Sequence, residues 1–195
     1  MKKMILLLAW MCFWAGCFGS QTEKRYFQLQ LSPELNFKFN KIDRILLVES
    51  VHTQDLYDDF RIIYRKSPYQ VNYYSYDFWV KKPSDLIKQS ILDFLSATGV
   101  FKRVINSFSI TEPDLILKSR LFSIEEVDAG NQWYARLSLE IEIYDFKTKK
   151  SLWYHQFDRR KPLTKKEVAL LPRVISEILK AELIEMIKKL AEILP

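Results

Sequence analysis

Cys17 has the clearest chemistry of any side chain in this sequence, because a thiol at this position can accept a lipid. It follows the small pair Ala15-Gly16, and an apolar run at residues 5–14 precedes that pair. Two lysines, Lys2 and Lys3, come before the run. A basic start, a short apolar run and small residues at a cleavage position are the three parts of a secretory signal. The run is too short to span a bilayer, which takes ~20 apolar residues.

A cysteine directly after such a small pair resembles a lipobox, in which the cysteine becomes the lipidated first residue of the mature chain. The departure is Trp14, because lipoboxes usually have leucine there. An ordinary secretory signal with an incidental cysteine is the alternative. We expect a signal peptide at residues 1–16, a lipidated tether at residues 17–25 and the lipid on Cys17. Phe18 stands in place of the aspartate that retains enterobacterial lipoproteins at the inner membrane, which favours the outer membrane.

The other reactive side chains form no catalytic or metal-binding pattern. The sequence has only two histidines, and His52 lies in an acidic loop with Asp55, Asp58 and Asp59. No ligand spacing there supports a metal site. The sequence also has no G-x-S-x-G elbow and no glycine-rich loop for a phosphate. We therefore expect no catalytic residue, no metal and no cofactor, and we predict that the protein is not an enzyme.

The charge pattern argues against a nucleic-acid partner. The formal net charge is +6, and both signs are well mixed along the chain. Nucleic-acid-binding domains usually concentrate basic residues on one face or in one stripe. Export would also separate the protein from nucleic acid, so we expect no such partner.

Hydrophobic alternation and turn residues predict most of the strands. Two of the predicted strands, at residues 61–66 and 71–80, form a hairpin around Ser67-Pro68. Three more, at residues 114–127, 132–146 and 151–158, form an antiparallel meander. The remaining predicted strands lie at residues 26–31, 44–51 and 101–105.

Two amphipathic segments are predicted to be helices. The first begins at Pro83 or Ser84 and ends at Gly99, because proline suits the first helical position and glycine suits the residue after the last. For the second, residues 164–167 fit a capping box. Pro172 then means either a kink or a short turn before a helix that starts there.

These elements predict an α+β fold, with a largely antiparallel sheet and two helices packed on one of its faces. One domain accounts for residues 26–195.

Several short motifs occur in a family-like order. Tyr26-Phe27 opens the domain, and residues 62–65 (Ile-Ile-Tyr-Arg) end the first hairpin strand. Tyr76 and Trp79 then precede Pro83 and the first helix. With the lipobox, the long strand pair and the C-terminal amphipathic helix, this order resembles the ABC-type transport auxiliary lipoproteins, also called the paraquat-inducible protein C family. Phe78 departs from the arginine that the family often has before that tryptophan.

The resemblance implies a non-enzymatic lipoprotein that works beside an MCE-domain lipid transporter driven by an inner-membrane ATPase. It implies a lipid-anchored protein at the outer membrane that faces the periplasm. The alternatives are a periplasmic lipid carrier with its own apolar pocket, a lipoprotein of the lipopolysaccharide-assembly type, and an envelope hydrolase.

The hairpin is the predicted contact surface for the MCE partner or for a neighbouring subunit, since tyrosine and arginine are enriched at interfaces. We predict Arg65, Tyr73, Tyr74 and Tyr76 as partner-binding residues. We predict assembly into a homo-oligomeric ring, because an adaptor at the end of a symmetric transporter is expected to match its symmetry. The competing interpretation is that one face of the aromatic strand is core, since tyrosine also favours strands for packing reasons.

Overall fold

A computed structural model describes residues 23–34, 39–108 and 111–194. Cys17, the signal peptide and most of the predicted tether lie outside the described residues, so these assignments stay predictions.

The described residues form nine strands and two helices, with two short 3-10 turns. The strands are β1 (Arg25–Phe27), β2 (Ile42–Val48), β3 (His52–Thr53), β4 (Arg61–Ser67), β5 (Gln70–Trp79), β6 (Phe101–Ile105), β7 (Leu115–Asp128), β8 (Trp133–Asp145) and β9 (Ser151–Leu163). The helices are α1 (Pro83–Thr98) and α2 (Leu171–Ile193). The 3-10 turns are Asp55–Tyr57 and Val168–Leu170.

Strand β7 is the central strand of the sheet and pairs with other strands along both of its edges. One of its edges pairs with β8 along its whole length, and β8 pairs in turn with β9, both in the antiparallel sense. The predicted meander is therefore confirmed. The other edge of β7 pairs in succession with β2, β3 and β4, all of them parallel to it. The β4–β5 hairpin is antiparallel as predicted, and β1 adds to β5 in parallel.

The prediction of a largely antiparallel sheet is wrong, because the sheet is mixed. Five pairings are parallel, namely β1–β5, β2–β6, β2–β7, β3–β7 and β4–β7. A parallel pairing needs a connection of a dozen or more residues that returns the chain to the same end of the sheet. The hairpin and α1 supply that connection between β2 and β6. Sequence patterns reveal pairing between neighbouring strands, so these distant pairings were missed.

Helix α1 has the predicted boundaries. Pro83 is its first residue, and Gly99 follows its end with a φ of 62°, a left-handed conformation that glycine adopts without steric cost. Helix α2 begins at Leu171 after a 3-10 turn, so the second alternative for Pro172 is the one observed. The predicted capping box does not form, since neither the turn nor α2 has a side-chain hydrogen bond at its N-cap.

Both helices share one apolar core with the sheet. Helix α1 packs against β6 and β2, and helix α2 packs against β7, β8 and β9. The chain after β1 lies against α2, where the Gln30 amide donates a hydrogen bond to Ser176 Oγ at 3.1 Å, and Leu29 is buried. The first strand is thereby fixed to the domain.

Candidate contact site at the β4–β5 hairpin

The hairpin is not a regular strand pair. Arg61 pairs with Phe78 and Ile63 pairs with Tyr73. A step of two residues along β4 therefore corresponds to a step of five residues along β5. A bulge of this kind breaks the alternation of side chains and re-aims them. The tyrosines predicted to contact a partner consequently have different environments. Tyr76 is 47% exposed, whereas Tyr73 and Tyr74 are half-buried.

Arg65 lies over a fully buried carboxylate, that of Glu125 on β7. The parallel register of β4 and β7 brings the two side chains together, and Arg65 Nε donates to Glu125 Oε2 at 2.7 Å. Tyr57, from the first 3-10 turn, donates its hydroxyl to the same oxygen at 2.7 Å. Arg136, directly opposite on β8, donates from Nη1 to Oε1 at 2.9 Å. Three donors from three different elements therefore stabilise one buried charge.

The chemistry of this cluster is that of a structural ion network. Arg136 also binds Asp158 on β9 through Nε and Nη2, at 2.9 and 2.7 Å, and that hydrogen bond is the main cause that raises the pKa of Arg136. Burial raises the pKa of the Tyr57 hydroxyl, which keeps it a donor at physiological pH. The network joins β4, β7, β8 and β9 on the sheet face away from α2.

Glu126 follows Glu125 on β7 and points to the opposite face, the one on which α2 packs. It is also fully buried, and Tyr74 donates to its Oε1 at 3.0 Å. Its Oε2 has no hydrogen-bond partner among the described residues. Burial raises the pKa of this carboxyl, and the hydrogen bond from Tyr74 opposes the rise. The Tyr74 ring packs against Tyr64, with centroids 4.8 Å apart.

The structure thus gives the four predicted contact residues different surroundings. Arg65 and Tyr74 bind buried carboxylates, and Tyr73 lies under the guanidinium of Arg61, 4.0 Å from the ring centroid. Tyr76 is the exposed one. Sequence reasoning missed Glu125 and Glu126, although two adjacent acidic residues inside a mostly apolar strand are a signal of buried and partnered carboxylates.

The tip of the hairpin, at residues 66–69, lies beyond the part of β4 that pairs with β7. Tyr69 is 97% exposed. Beside it lies an open groove of about 520 Å³, whose charged lining residues are four basic side chains and one acidic side chain. Its lining residues are Arg65, Lys66, Ser67, Pro68, Val127, Asp128, Ala129, Arg136 and Arg160. A groove of this composition suits an acidic surface.

The described part of the chain contains no group of three or more His, Cys, Asp or Glu side chains that could hold a metal ion. His52 is exposed at β3, and His155 lies 2.8 Å from Glu182 on α2. Neither described helix is long and apolar enough to cross a membrane.

Solved structures with the same fold are known. A Xanthomonas campestris protein of the DUF330 family superposes with a TM-score of 0.75 at 16% identity, over 86% of this chain and 95% of that one. An uncharacterized protein superposes with a TM-score of 0.70 at 15% identity, over 86% of this chain and 99% of that one. At these identities the likeness concerns the fold alone. No match was found among curated protein sequences.

A match between the sequence and a family model identifies the family. The family model described as "ABC-type transport auxiliary lipoprotein component" matches residues 27–183, which is most of the chain. The match covers the hairpin, both buried glutamates and the larger part of α2. It confirms the resemblance drawn from the short motifs. This chain therefore belongs to the family of ABC-type transport auxiliary lipoproteins.

Proposed function

We propose that this protein is a non-enzymatic outer-membrane lipoprotein that docks the periplasmic MCE-domain partner of an ABC lipid transporter. The observation that carries the proposal is the family match over residues 27–183, together with a lipobox-like cysteine ten residues before it. Cleavage after residue 16 leaves Cys17 acylated, residues 17–25 as the tether and residues 26–195 as one domain that faces the periplasm.

The anchor has a direct test. Several acyl chains hold a protein stably at a membrane, whereas one chain binds marginally. We expect the mature protein to have the mass of the chain from Cys17 plus its lipid, and to fractionate with the outer membrane. A Cys17→Ser protein should lose both properties. Retention of the membrane fractionation and of the mass shift in this variant would rule out the anchor.

The hairpin tip is the proposed contact surface for the MCE partner. Tyr69 supplies an exposed aromatic anchor, and Lys66 and Arg160 line the groove beside it. Arg65 and Tyr74 fix the hairpin below this surface, because each donates a hydrogen bond to a buried glutamate of β7. Aromatic and arginine side chains dominate the energetics of protein contacts. The complementary surface on the partner should be acidic.

The docking proposal is tested by pull-down of the MCE partner. Tyr69→Ala and Lys66→Glu should weaken capture about tenfold or more, which corresponds to ~1.4 kcal/mol. Tyr154→Ala on β9 is the matched control, because Tyr154 is 54% exposed and pairs with Glu142, six positions along β9 from the groove residue Arg160. Tyr76→Ala tests the remaining exposed tyrosine of the hairpin. Unchanged capture by folded tip variants would move the contact surface elsewhere, first to the meander.

Assembly into a homo-oligomeric ring is part of the proposal. Strand β9 is thirteen residues long and pairs only with β8 among the described strands, so it presents an edge with unpaired backbone groups. Such an edge is a template for pairing with another chain. Sedimentation of the purified protein should give a closed oligomer, and a monomer at the concentrations of the pull-down would exclude the ring.

A lipid carrier is the second candidate. A groove of about 620 Å³ lies between residues 26–32 and α2, and it is open on one side. Lipid that copurifies with the protein and disappears when this groove is filled by Ser176→Phe would favour a carrier. Protein purified without lipid that still captures the MCE partner would favour docking. Capture of lipopolysaccharide-assembly components in the same pull-down would favour a lipoprotein of the lipopolysaccharide-assembly type.

A further inference from the structure

We infer that the base of the hairpin, together with β1, is a surface that lies on the headgroup region of the bilayer. The inference rests on the proposed anchor at Cys17, and it adds an orientation that neither the anchor nor the family match supplies. We call this surface the basal patch and define it by Lys24, Tyr26, Phe60, Phe78, Val80 and Lys81.

The basal patch gathers apolar side chains that the fold leaves exposed. Tyr26 is 63% exposed, Phe60 48% and Val80 47%. The parallel pairing of β1 with β5 places Tyr26 beside Phe78, with ring centroids 5.7 Å apart. Backbone hydrogen bonds from Trp79 to Phe60 and from Val80 to Phe27 bring the three segments to one edge. Tyr26 and Phe78 are in ring contact, and the backbone bonds hold Phe60 and Val80 in the adjoining segments. Exposed apolar groups gathered at one edge mark an interaction surface, whereas scattered single ones do not.

The charges around the basal patch fit a bilayer surface. Lys24 lies over the Phe78 ring at 5.7 Å, and Lys81 is exposed beside Val80. The other cations at this edge are balanced, because Arg25 is paired with Asp77, Arg61 with Asp59 and Lys82 with Asp58. Glu23 and Asp85, both exposed, are nearby acids without such a pair in the described contacts, so Lys24 and Lys81 leave the patch close to neutral. Aromatic rings with lysines at their margin are typical of the membrane interface.

The anchor places the basal patch near the bilayer. Lys24 follows Cys17 by seven positions in the sequence, and a fully extended chain of that length spans at most about 25 Å. The hairpin runs away from this edge, and its seven-residue strand β4 is about 23 Å long. A basal patch seated on the lipid therefore directs the tip, with Tyr69, towards the periplasmic partner.

A fluorescence experiment on the lipidated protein tests the inference. In the acylated mature chain Cys12 is removed and Cys17 is blocked, so an introduced cysteine is the single reactive thiol. Tyr26→Cys and Val80→Cys report on the basal patch, and Tyr69→Cys and Tyr154→Cys are matched exposed controls. Each is labelled with a polarity-sensitive fluorophore and reconstituted in vesicles of phosphatidylethanolamine and phosphatidylglycerol. Spin-labelled lipids with the quencher near the headgroup measure contact with the bilayer.

We expect a blue-shifted emission and quenching by these lipids at positions 26 and 80, with neither effect at positions 69 and 154. Adding Tyr26→Glu to the protein labelled at position 80 should remove most of the blue shift, whereas adding Tyr154→Glu should leave it intact. Equal emission and quenching at all four positions in acylated protein would overturn the inference and leave the anchor standing. Mass spectra without the acyl group would overturn the anchor and, with it, this orientation.

Discussion

The two adjacent glutamates of β7 have the same burial but opposite surroundings. Glu125 and Glu126 are both fully buried, and they point to opposite faces of the sheet. Glu125 accepts hydrogen bonds from one tyrosine and two arginines, whereas Glu126 accepts one from Tyr74. Equal burial therefore does not mean equal surroundings. The donors that the neighbouring strands supply differ between the two faces of β7.

The pair does not fix the register of β7 by itself. A slip by one residue moves every side chain of a strand to the other face. The two adjacent glutamates would then exchange places, and one of them would still face the arginines. The apolar side chains of Leu117, Leu121 and Ile124 would leave the core, and this loss of burial is what disfavours the slipped register.

Glu125→Gln should cause the largest loss in the free energy of unfolding. The change keeps the shape of the side chain but removes the charge that Arg65 and Arg136 share, and neither arginine is more than 24% exposed. Removal of one partner from a buried pair costs about 3 kcal/mol or more. We expect a loss of this size in the free energy of unfolding, measured in denaturant. Glu126→Gln is the matched control, and equal losses in the two variants would contradict the comparison.

A smaller effect separates the two tyrosines that serve these glutamates. Tyr57→Phe removes a neutral donor from Glu125, and hydrogen bonds to charged groups contribute about 1.5–3 kcal/mol. We expect a loss near the lower limit at all pH values in the neutral range, because the two arginines remain. Tyr74→Phe removes the single hydrogen-bond donor found for Glu126, so its cost should increase with pH as the carboxyl ionises. Parallel unfolding curves at about pH 5 and pH 8 measure the difference. A pH-independent cost for Tyr74→Phe would contradict it.

The elements that the sequence predicted are those decided by neighbouring residues. The meander follows from alternation and short turns, and α1 follows from Pro83 and Gly99, because these signals act over a few positions. The parallel pairings of β7 with β2, β3 and β4 depend on which distant segments meet, and no local pattern encodes that.

The contact site was predicted only in outline for a similar reason. The composition of the hairpin identified an aromatic and basic segment, but the bulge in β5 changed which face each tyrosine occupies. Arg65 was predicted to contact a partner, and the structure shows it bound to Glu125, which lies 60 residues away in the sequence. A buried ion pair of this kind is visible only after the register of two distant strands is known.

Glu126→Gln should have the smallest effect on the free energy of unfolding. Unlike the other changes, it should stabilise the protein as the pH increases. Burial raises the folded-state pKa of Glu126 above the value in the unfolded chain. The folded protein therefore holds this proton to a higher pH than the unfolded chain does. Stability from this group is present below the unfolded pKa and is lost as pH rises through the folded pKa.

Glutamine is neutral at every pH, so it removes this loss. We expect the variant to match the wild type within about 1 kcal/mol at pH 5, and to become relatively more stable as the pH increases towards 8. Denaturant unfolding of both proteins across this range measures the difference. The same series with Glu125→Gln serves as the reference, since that variant removes the carboxylate that Arg65 and Arg136 share. If Glu126→Gln were instead less stable by an equal amount at every pH, an unseen donor would hold Glu126 ionised in the folded state, and the two glutamates would be equivalent after all.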